Sequence, residues 1–351
     1  SLLASLCITD TPVGHVPAKG PSALFELTYT QREERTPQLP TYSNLGPKWT
    51  HAFLSFIEDD PTIAIDTPTV SMRVWSFERG GGWAPFQFTN AKGADVATSM
   101  ATGPSDPQKD DFSRLIRLNL TSYARIHPDG SQEIYEHSDG ARTAPRRIFL
   151  TRIIDSTGAQ LTLNYDAQHR LASITDAQGR STQLAYELAS DPLKITKVTD
   201  PFDRTATFEY NAQGQLSSIT DVVGITSSFT YGPTVEAPGL PADFVNALTT
   251  PYGTHNYTTG QDSDGFWVEA QDPLGNKERM EFKRHPVVAA HADPLPDGYG
   301  YFRPGGSLYW GKRAMALAPG DYNQAKYTRW VIGQDGEGSI DVPAMLKPAG
   351  S

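Results

Sequence analysis

The sequence predicts an all-β, antiparallel fold, and three observations predict it. Apolar and polar residues alternate with period two over short segments, as in Phe25, Leu27 and Tyr29 against Glu26 and Thr28. Glycine (30) and proline (27) are abundant and punctuate those segments. An eleven-residue unit then recurs through the second half of the chain, too short to bury a core by itself.

In chain order, residues 20–31 read as one half-buried strand. GPKWTHAFLSFIEDDP (46–61) and VSMRVWSFERGGGWAPFQF (70–88) carry strands rich in aromatic and β-branched residues, with Pro and Gly clusters as breakers between them. Residues 99–112 are the most loop-like stretch. Residues 123–155 read as hairpins turning at Pro128-Asp129-Gly130 and Ser138-Asp139-Gly140. No amphipathic helix is expected before residue 285, and residues 311–318 are a helical turn or two.

The recurring unit starts at Asp155, Asp176, Asp200, Asp221 and Asp272, and an aromatic follows ten positions later at Tyr165, Tyr186, Tyr210, Tyr231 and Phe282. Glycine stands three positions after the aspartate at Gly158, Gly179, Gly224 and Gly275, with Asp203 as the exception. Eight positions after the aspartate the residue is apolar in every copy: Leu163, Leu184, Phe208, Phe229 and Met280. Two positions before it stand Ile153, Ile174, Val198, Ile219 and Ala270. Alternation on both sides of a turn signals hairpins stacked side by side. The aspartate is expected to bond its own backbone and the glycine to take a positive φ. Asp166 and Asn211 make the opposite turns. Equal offsets give equal strand lengths, so the five turns are expected along one margin of a continuous sheet. These residues are accordingly assigned to the framework of the sheet rather than to ligand contact.

A net charge of -10 and the lack of a basic patch argue against nucleic acid as a partner. No apolar run is long enough to span a bilayer. Cys7 is the one cysteine, which excludes an intrachain disulfide, and it is expected to be a buried small hydrophobe. The chain opens on Ser, which suggests a piece of something longer whose targeting signal is not visible.

Several groups resemble sites without completing one. His285 with His291, and His127 with His137, lack a second pair or a cysteine to finish a metal set. Asp262-Ser263-Asp264-Gly265 spaces its oxygens like a calcium loop, but the following acidic positions do not continue the pattern, so a polar hairpin turn is expected. Gly80-Gly81-Gly82 runs into Trp83 without a phosphate-binding lysine, and no Gly-x-Ser-x-Gly elbow occurs. No catalytic, cofactor-binding or metal residue is therefore assigned, no cofactor is expected, and the chain is read as not an enzyme. A carboxylate pair for glycoside hydrolysis depends on distances that sequence does not give. The six tryptophans, Trp49, Trp75, Trp83, Trp267, Trp310 and Trp330, are read as sheet-packing residues, with a carbohydrate- or cell-surface-binding face as the alternative.

The stretches YDAQHRLASITDAQGR and YNAQGQLSSITD resemble RHS/YD repeats: an aromatic, Asp or Asn, then Arg or Gln with Leu, then Asp-x-x-Gly. Upstream, TDTPVGHVPAKGPSALFELTYTQRE, YSNLGPKWTHAF, PDGSQEIYEHSDG and SDPLKITKVTDPFDR resemble the N-terminal shell segment of bacterial RHS proteins, so the likeness runs over roughly residues 10–330. The resemblance implies a β-sheet ribbon spiralling into a hollow β-shell that encloses a C-terminal polymorphic toxin. It further implies a secreted or cell-surface bacterial protein used in interbacterial competition. The expected partners are the remainder of a longer RHS polypeptide and its enclosed toxin, with surface glycans as a further partner. On that reading residues 1–20 are an N-terminal extension, 21–148 the N-terminal β region of the shell, 149–283 the RHS/YD repeats, and 284–351 a C-terminal β/loop segment and tail. The family's aspartate protease motif is not visible, since Asp272-Pro273-Leu274-Gly275 is an ordinary repeat turn. GQDGEGSIDVPAMLKPAGS at the end reads as a tail or an interrupted strand.

Overall fold

The computed structural model describes residues 4–35, 40–62, 72–88, 96–99, 112–263, 265–283, 302–335 and 338–346. It is nearly all β, and among the described residues every pairing between strands is antiparallel. The chain forms two compact units, one of Cys7–Thr102 with Lys109–Thr226, the other chiefly Ser227–Ser351.

The first unit opens with β1 (Cys7–Asp10), β2 (Gly14–His15), β3 (Ala23–Leu24), β4 (Leu27–Thr30) and β5 (Trp49–His51). The strand expected over 20–31 is divided in two. At the break Phe25 N–H donates to Val13 O and Glu26 O accepts from Ala52 N–H, both at 2.9 Å, so the backbone leaves the ladder there. β4 lies between β1 and β5, which buries Thr28 along with Leu27 and Tyr29. Cys7 is exposed rather than buried. Strand alternation places its neighbours Leu6 and Ile8 inward and turns the thiol out.

Next come β6 (Phe56–Asp59), β7 (Met72–Phe77), β8 (Trp83–Phe88), β9 (Val96–Ser99), β10 (Arg114–Asn119), β11 (Ser122–Ile126), β12 (Gln132–Ser138) and β13 (Arg146–Ile154). Each pairs with the next, and β13 returns to β6 with Arg146 opposite Asp59 and Phe149 opposite Phe56. A ring closed in this way leaves these strands no free edge on which to aggregate. β13 changes partner along its length, because Arg152–Ile154 pair instead with β14 (Gln160–Tyr165). From that junction β15 (Leu171–Thr175), β16 (Ser181–Ala185), β17 (Lys197–Thr199), β18 (Thr205–Tyr210) and β19 (Leu216–Thr220) extend the sheet through the repeats. One face of this sheet is buried throughout, with Leu161, Leu163, Ile174, Leu184, Val198, Phe208 and Ile219 on it.

The second unit is a meander of β20 (Thr226–Tyr231), β21 (Val245–Thr250), β22 (Gly253–Gln261), β23 (Gly265–Gln271), β24 (Lys277–Lys283), β25 (Phe302–Trp310), β26 (Tyr327–Asp335) and β27 (Gly338–Leu346). The short helix α1 (Lys312–Leu317) closes a small core of Trp310, Met315, Ala325 and Tyr327. Where a tail or an interrupted strand is expected, β26 and β27 pair over nine positions from Tyr327–Leu346 to Asp335–Gly338. In the fifth repeat copy the burial pattern departs from the other four. Glu281 is buried between Arg279 and Lys283, whereas Met280 and Phe282 are only half-buried. The loop-like residues 100–111, and His285 with His291, lie outside the described residues.

Candidate functional site

The repeat turns are built alike. The Asp176 N–H donates to Arg180 O (2.9 Å), Gly179 N–H donates to Asp176 O (3.0 Å), and Asp176 Oδ1 accepts from Gln178 and Arg180 N–H (2.8 and 3.0 Å). Asp155, Asp200, Asp221 and Asp272 repeat these bonds. It is a three-residue hairpin loop whose third residue must be left-handed. Gly179 has φ 79° and Gly224 has φ 84°, and Asp203, the exception in sequence, takes the same conformation at φ 62°. Asp166 and Asn211 build the same turn at the other margin.

Gly179→Val or Gly224→Val is expected to destabilise by roughly 1–3 kcal/mol, measured by chemical denaturation. Nothing lies within 4 Å of a Cβ built at either glycine, so the whole cost is conformational. Asp203→Gly is the complementary experiment. Relieving a left-handed side chain should raise the denaturation midpoint by an amount worth up to ~1 kcal/mol; a lower midpoint would mean that the Asp203 side chain stabilises the turn.

The tyrosines ten positions on reach back across the sheet. Tyr165, Tyr186 and Tyr210 donate from their hydroxyls to the carbonyls of Leu150, Leu171 and Ile195 at 2.7, 2.8 and 2.5 Å, each fifteen residues upstream. Burial pushes the Tyr165 and Tyr186 phenols well above their ordinary range, so they remain donors.

Both margins are lined by the N-terminal segment of the same unit. Along the aspartate turns it runs against chain order. Pro12 O accepts from Val222 N–H (3.3 Å), and Gly14 O accepts from the Arg204 guanidinium (2.9 Å). His15 Nε2 meets Asp176 Oδ2 at 2.9 Å, and a Cβ at Gly20 would lie 3.3 Å from both Ala159 and Ala177. Along the tyrosine margin, Tyr42 packs on Phe149 (5.8 Å between rings) and Ser43 Oγ accepts from Leu171 N–H (3.4 Å). Asn44 N–H donates to Leu193 O and Asn44 O accepts from Ile195 N–H. A Cβ on Gly46 would stand 2.8 Å from Gly214 O. Between the margins Phe25 contacts Phe208, at 6.0 Å between centroids, so the chain's own segment packs on the apolar repeat face there.

Sequence reasoning missed His15, Asn44, Gly46 and Lys194, whose Nζ lies 2.6 Å from Asn44 Oδ1. One signal was available. Arg170, Arg180 and Arg204 each stand four residues after a turn aspartate, and each Nε bonds that aspartate's Oδ2 at 2.7–2.8 Å. Burial alone would raise the Asp176 carboxyl, but His15, Arg180 and the turn amides outweigh it and hold it down at about 2.

The β6–β13 ring holds a buried ionic network. Arg146 binds Asp59 through two bonds of 2.9 and 2.7 Å, and the Tyr123 hydroxyl donates to Asp59 Oδ2 at 2.7 Å. Glu133 accepts from Tyr135 (2.8 Å). Burial opposes its charge, yet His127, Arg125 and Arg79 outweigh that and keep it at about 2. Both carboxylates are already engaged by these side chains.

Most tryptophan faces are in use. Trp49 is buried beside Tyr29. Arg35 lies over Trp75 and Trp83, 3.7 and 4.6 Å from their centroids. Trp267 lies against Gly260, where a Cβ would come within 2.7 Å of the indole, and carries Arg279 on its ring at 4.0 Å. Trp310 is buried and donates to Tyr322 O at 3.0 Å. The Trp330 side chain lies outside the described residues. Asp262 Oδ1 accepts from Gly265 N–H and its Oδ2 meets Lys283 Nζ, so its carboxylate serves the hairpin turn. Gly80–Gly82 likewise turn β7 into β8. Among the described residues no cluster of three or more His, Cys, Asp or Glu is placed to hold a metal, and no helix is long and apolar enough to cross a membrane.

The RHS Repeat family model matches residues 149–187 and 193–233. Solved structures similar to this chain include a TcdB2-TccC3-Cdc42 crystal structure (12% identity, TM-score 0.26, covering 80% of this chain and 15% of that one). A second is TcdB2-TccC3 without its hypervariable C-terminal region (12%, 0.26, 78% and 15%). A third is the pore of a Photorhabdus luminescens Tc holotoxin with a TccC3 point mutation (11%, 0.24, 80% and 20%). The chain thus spans between 15% and 20% of the length of these structures. No curated protein sequence matches it. The two matched segments take in the copies beginning at Asp155, Asp176, Asp200 and Asp221, so this part of the chain carries RHS repeats.

Proposed function

We propose that this chain is a structural segment of an RHS shell, which encapsulates and helps deliver a toxin or other cargo polypeptide in bacterial competition, and that it acts without catalysis. The supporting observation is the use made of the repeat residues. In each aspartate turn the carboxylate, the left-handed third residue and the neighbouring amides serve backbone geometry, and three successive tyrosines tie one strand to the next. Residues spent on holding backbone together make a wall. On this reading the repeat aspartates, glycines and aromatics are framework, and the partners are the rest of a longer secreted or surface-exposed RHS polypeptide and the toxin it encloses. The test is to express the chain with the polypeptide that follows it in its gene, then measure protease digestion of that polypeptide. Protection relative to the polypeptide alone supports containment. Digestion at the same rate in both would reject it.

A further inference from the structure

His137, near the end of β12, faces His169, the third residue of the Asp166 turn. His137 Nε2 and His169 Nδ1 lie 2.9 Å apart, and both residues are half-buried with access to solvent. His169 sits at φ 59°, in the left-handed region, where the matching Asn211 turn has Gly214 at φ 74°. A side chain in that conformation is disfavoured. Tyr165 stacks on the His137 ring at 4.5 Å and 8°. Asp166 is otherwise engaged, with Oδ1 on the Gln168 and Arg170 amides and Oδ2 on the Arg170 guanidinium.

We propose that His137 and His169 form a two-imidazole binding site for a late first-row divalent ion, Cu2+ or Ni2+. The ligand type selects the class of ion, because neutral imidazole nitrogen suits copper and nickel. The 2.9 Å found here is hydrogen-bonding distance between the rings, a bond that a shared metal would replace. Rotation of the rings turns both lone pairs from each other toward a shared metal, and water fills the remaining positions. Copper, at the top of the Irving–Williams order, binds more tightly than nickel. A hairpin turn and a paired strand hold the two ligands, so little ordering is left for the metal to impose.

Calorimetric titration of the full chain with a Cu2+ salt, alongside electron paramagnetic resonance of the copper, tests this. Wild type should take up one equivalent with a two-nitrogen signature. His169→Gly and His137→Phe should each weaken binding by more than about tenfold. His169→Gly restores the residue found in the matching turn, so its metal-free denaturation midpoint should equal or exceed that of wild type. His137→Phe keeps a ring for Tyr165 to stack on. Equal copper affinity in wild type and His169→Gly, or a two-nitrogen signature that survives both substitutions, would overturn the site.

Discussion

Asp176→Ala is expected to lower the free energy of unfolding by ~3–5 kcal/mol, the usual cost of removing one member of a buried charged pair. The Asp176 side chain has no solvent exposure and serves four groups at once. Its Oδ1 accepts from two turn amides, and its Oδ2 meets His15 at 2.9 Å and Arg180 at 2.8 Å. Alanine removes all four bonds at once, and His15, which is buried, loses its partner. Asp176→Asn should cost less, about 1–2 kcal/mol, because the amide keeps the turn bonds. Asn211 already does this in the equivalent turn at the other margin, with Gln215 in place of the arginine. Urea denaturation of both variants gives the comparison, and equal losses would mean that the charge contributes nothing beyond the turn.

The same carboxylate sets part of the acid sensitivity. Its folded pKa, about 2, lies below the unfolded value near 3.9. A depressed acid favours the fold above the unfolded pKa, and that stability drains away as pH falls from about 4 toward about 2. His51 acts earlier. Burial lowers it to about 3, so it stays neutral in the fold, stacked on Phe25 at 4.8 Å, while the unfolded chain protonates near 6.5. Stability should therefore begin to fall below about pH 6.5 and steepen below about pH 4. His51→Phe should flatten the first part of that profile and leave the second.

The parts of this fold that local chemistry decides were legible in the sequence. The third residue of a three-residue turn must be left-handed whatever surrounds it, so Gly179 and Gly224 announce their conformation. Asp203 takes it too, because the turn bonds dictate it. The sheet's apolar face was legible from period two. What covers that face was not. His15 and Asp176 are 161 residues apart and Asn44 and Lys194 are 150 apart, and no periodicity links them. Residues 12–20 have no alternation because they follow a row of turns rather than a ladder of strands. The pairing of His137 with His169 was hidden for a related reason: a turn tip and a strand end become neighbours only once β12, β13 and β14 are in register. The exposure of Cys7 depended on which side of β1 faces the sheet, and alternation alone does not choose the side.

Gly46→Val should destabilise the first unit by about 2–5 kcal/mol, the sum of a forbidden backbone conformation and an overpacked contact. Gly46 has φ 100°, and its Cβ would stand 2.8 Å from Gly214 O and 3.4 Å from Gln215 Cα, all backbone atoms that cannot swing aside as a side chain would. The Gly46 amide also donates to Asn44 Oδ1 at 3.0 Å, the atom that receives Lys194 Nζ. Displacing Gly46 therefore loosens Asn44, and with it the bonds from Asn44 to Leu193 and Ile195. The effect should be local as well as global. Hydrogen exchange should speed up first at Ile195 and at Leu171, whose amides are held by Asn44 and Ser43, before the amides of the β6–β13 ring respond. If Ile195 and Leu171 stay as protected as in wild type while the ring loosens, the segment does not fasten the tyrosine margin, and the repeat sheet holds its own edge.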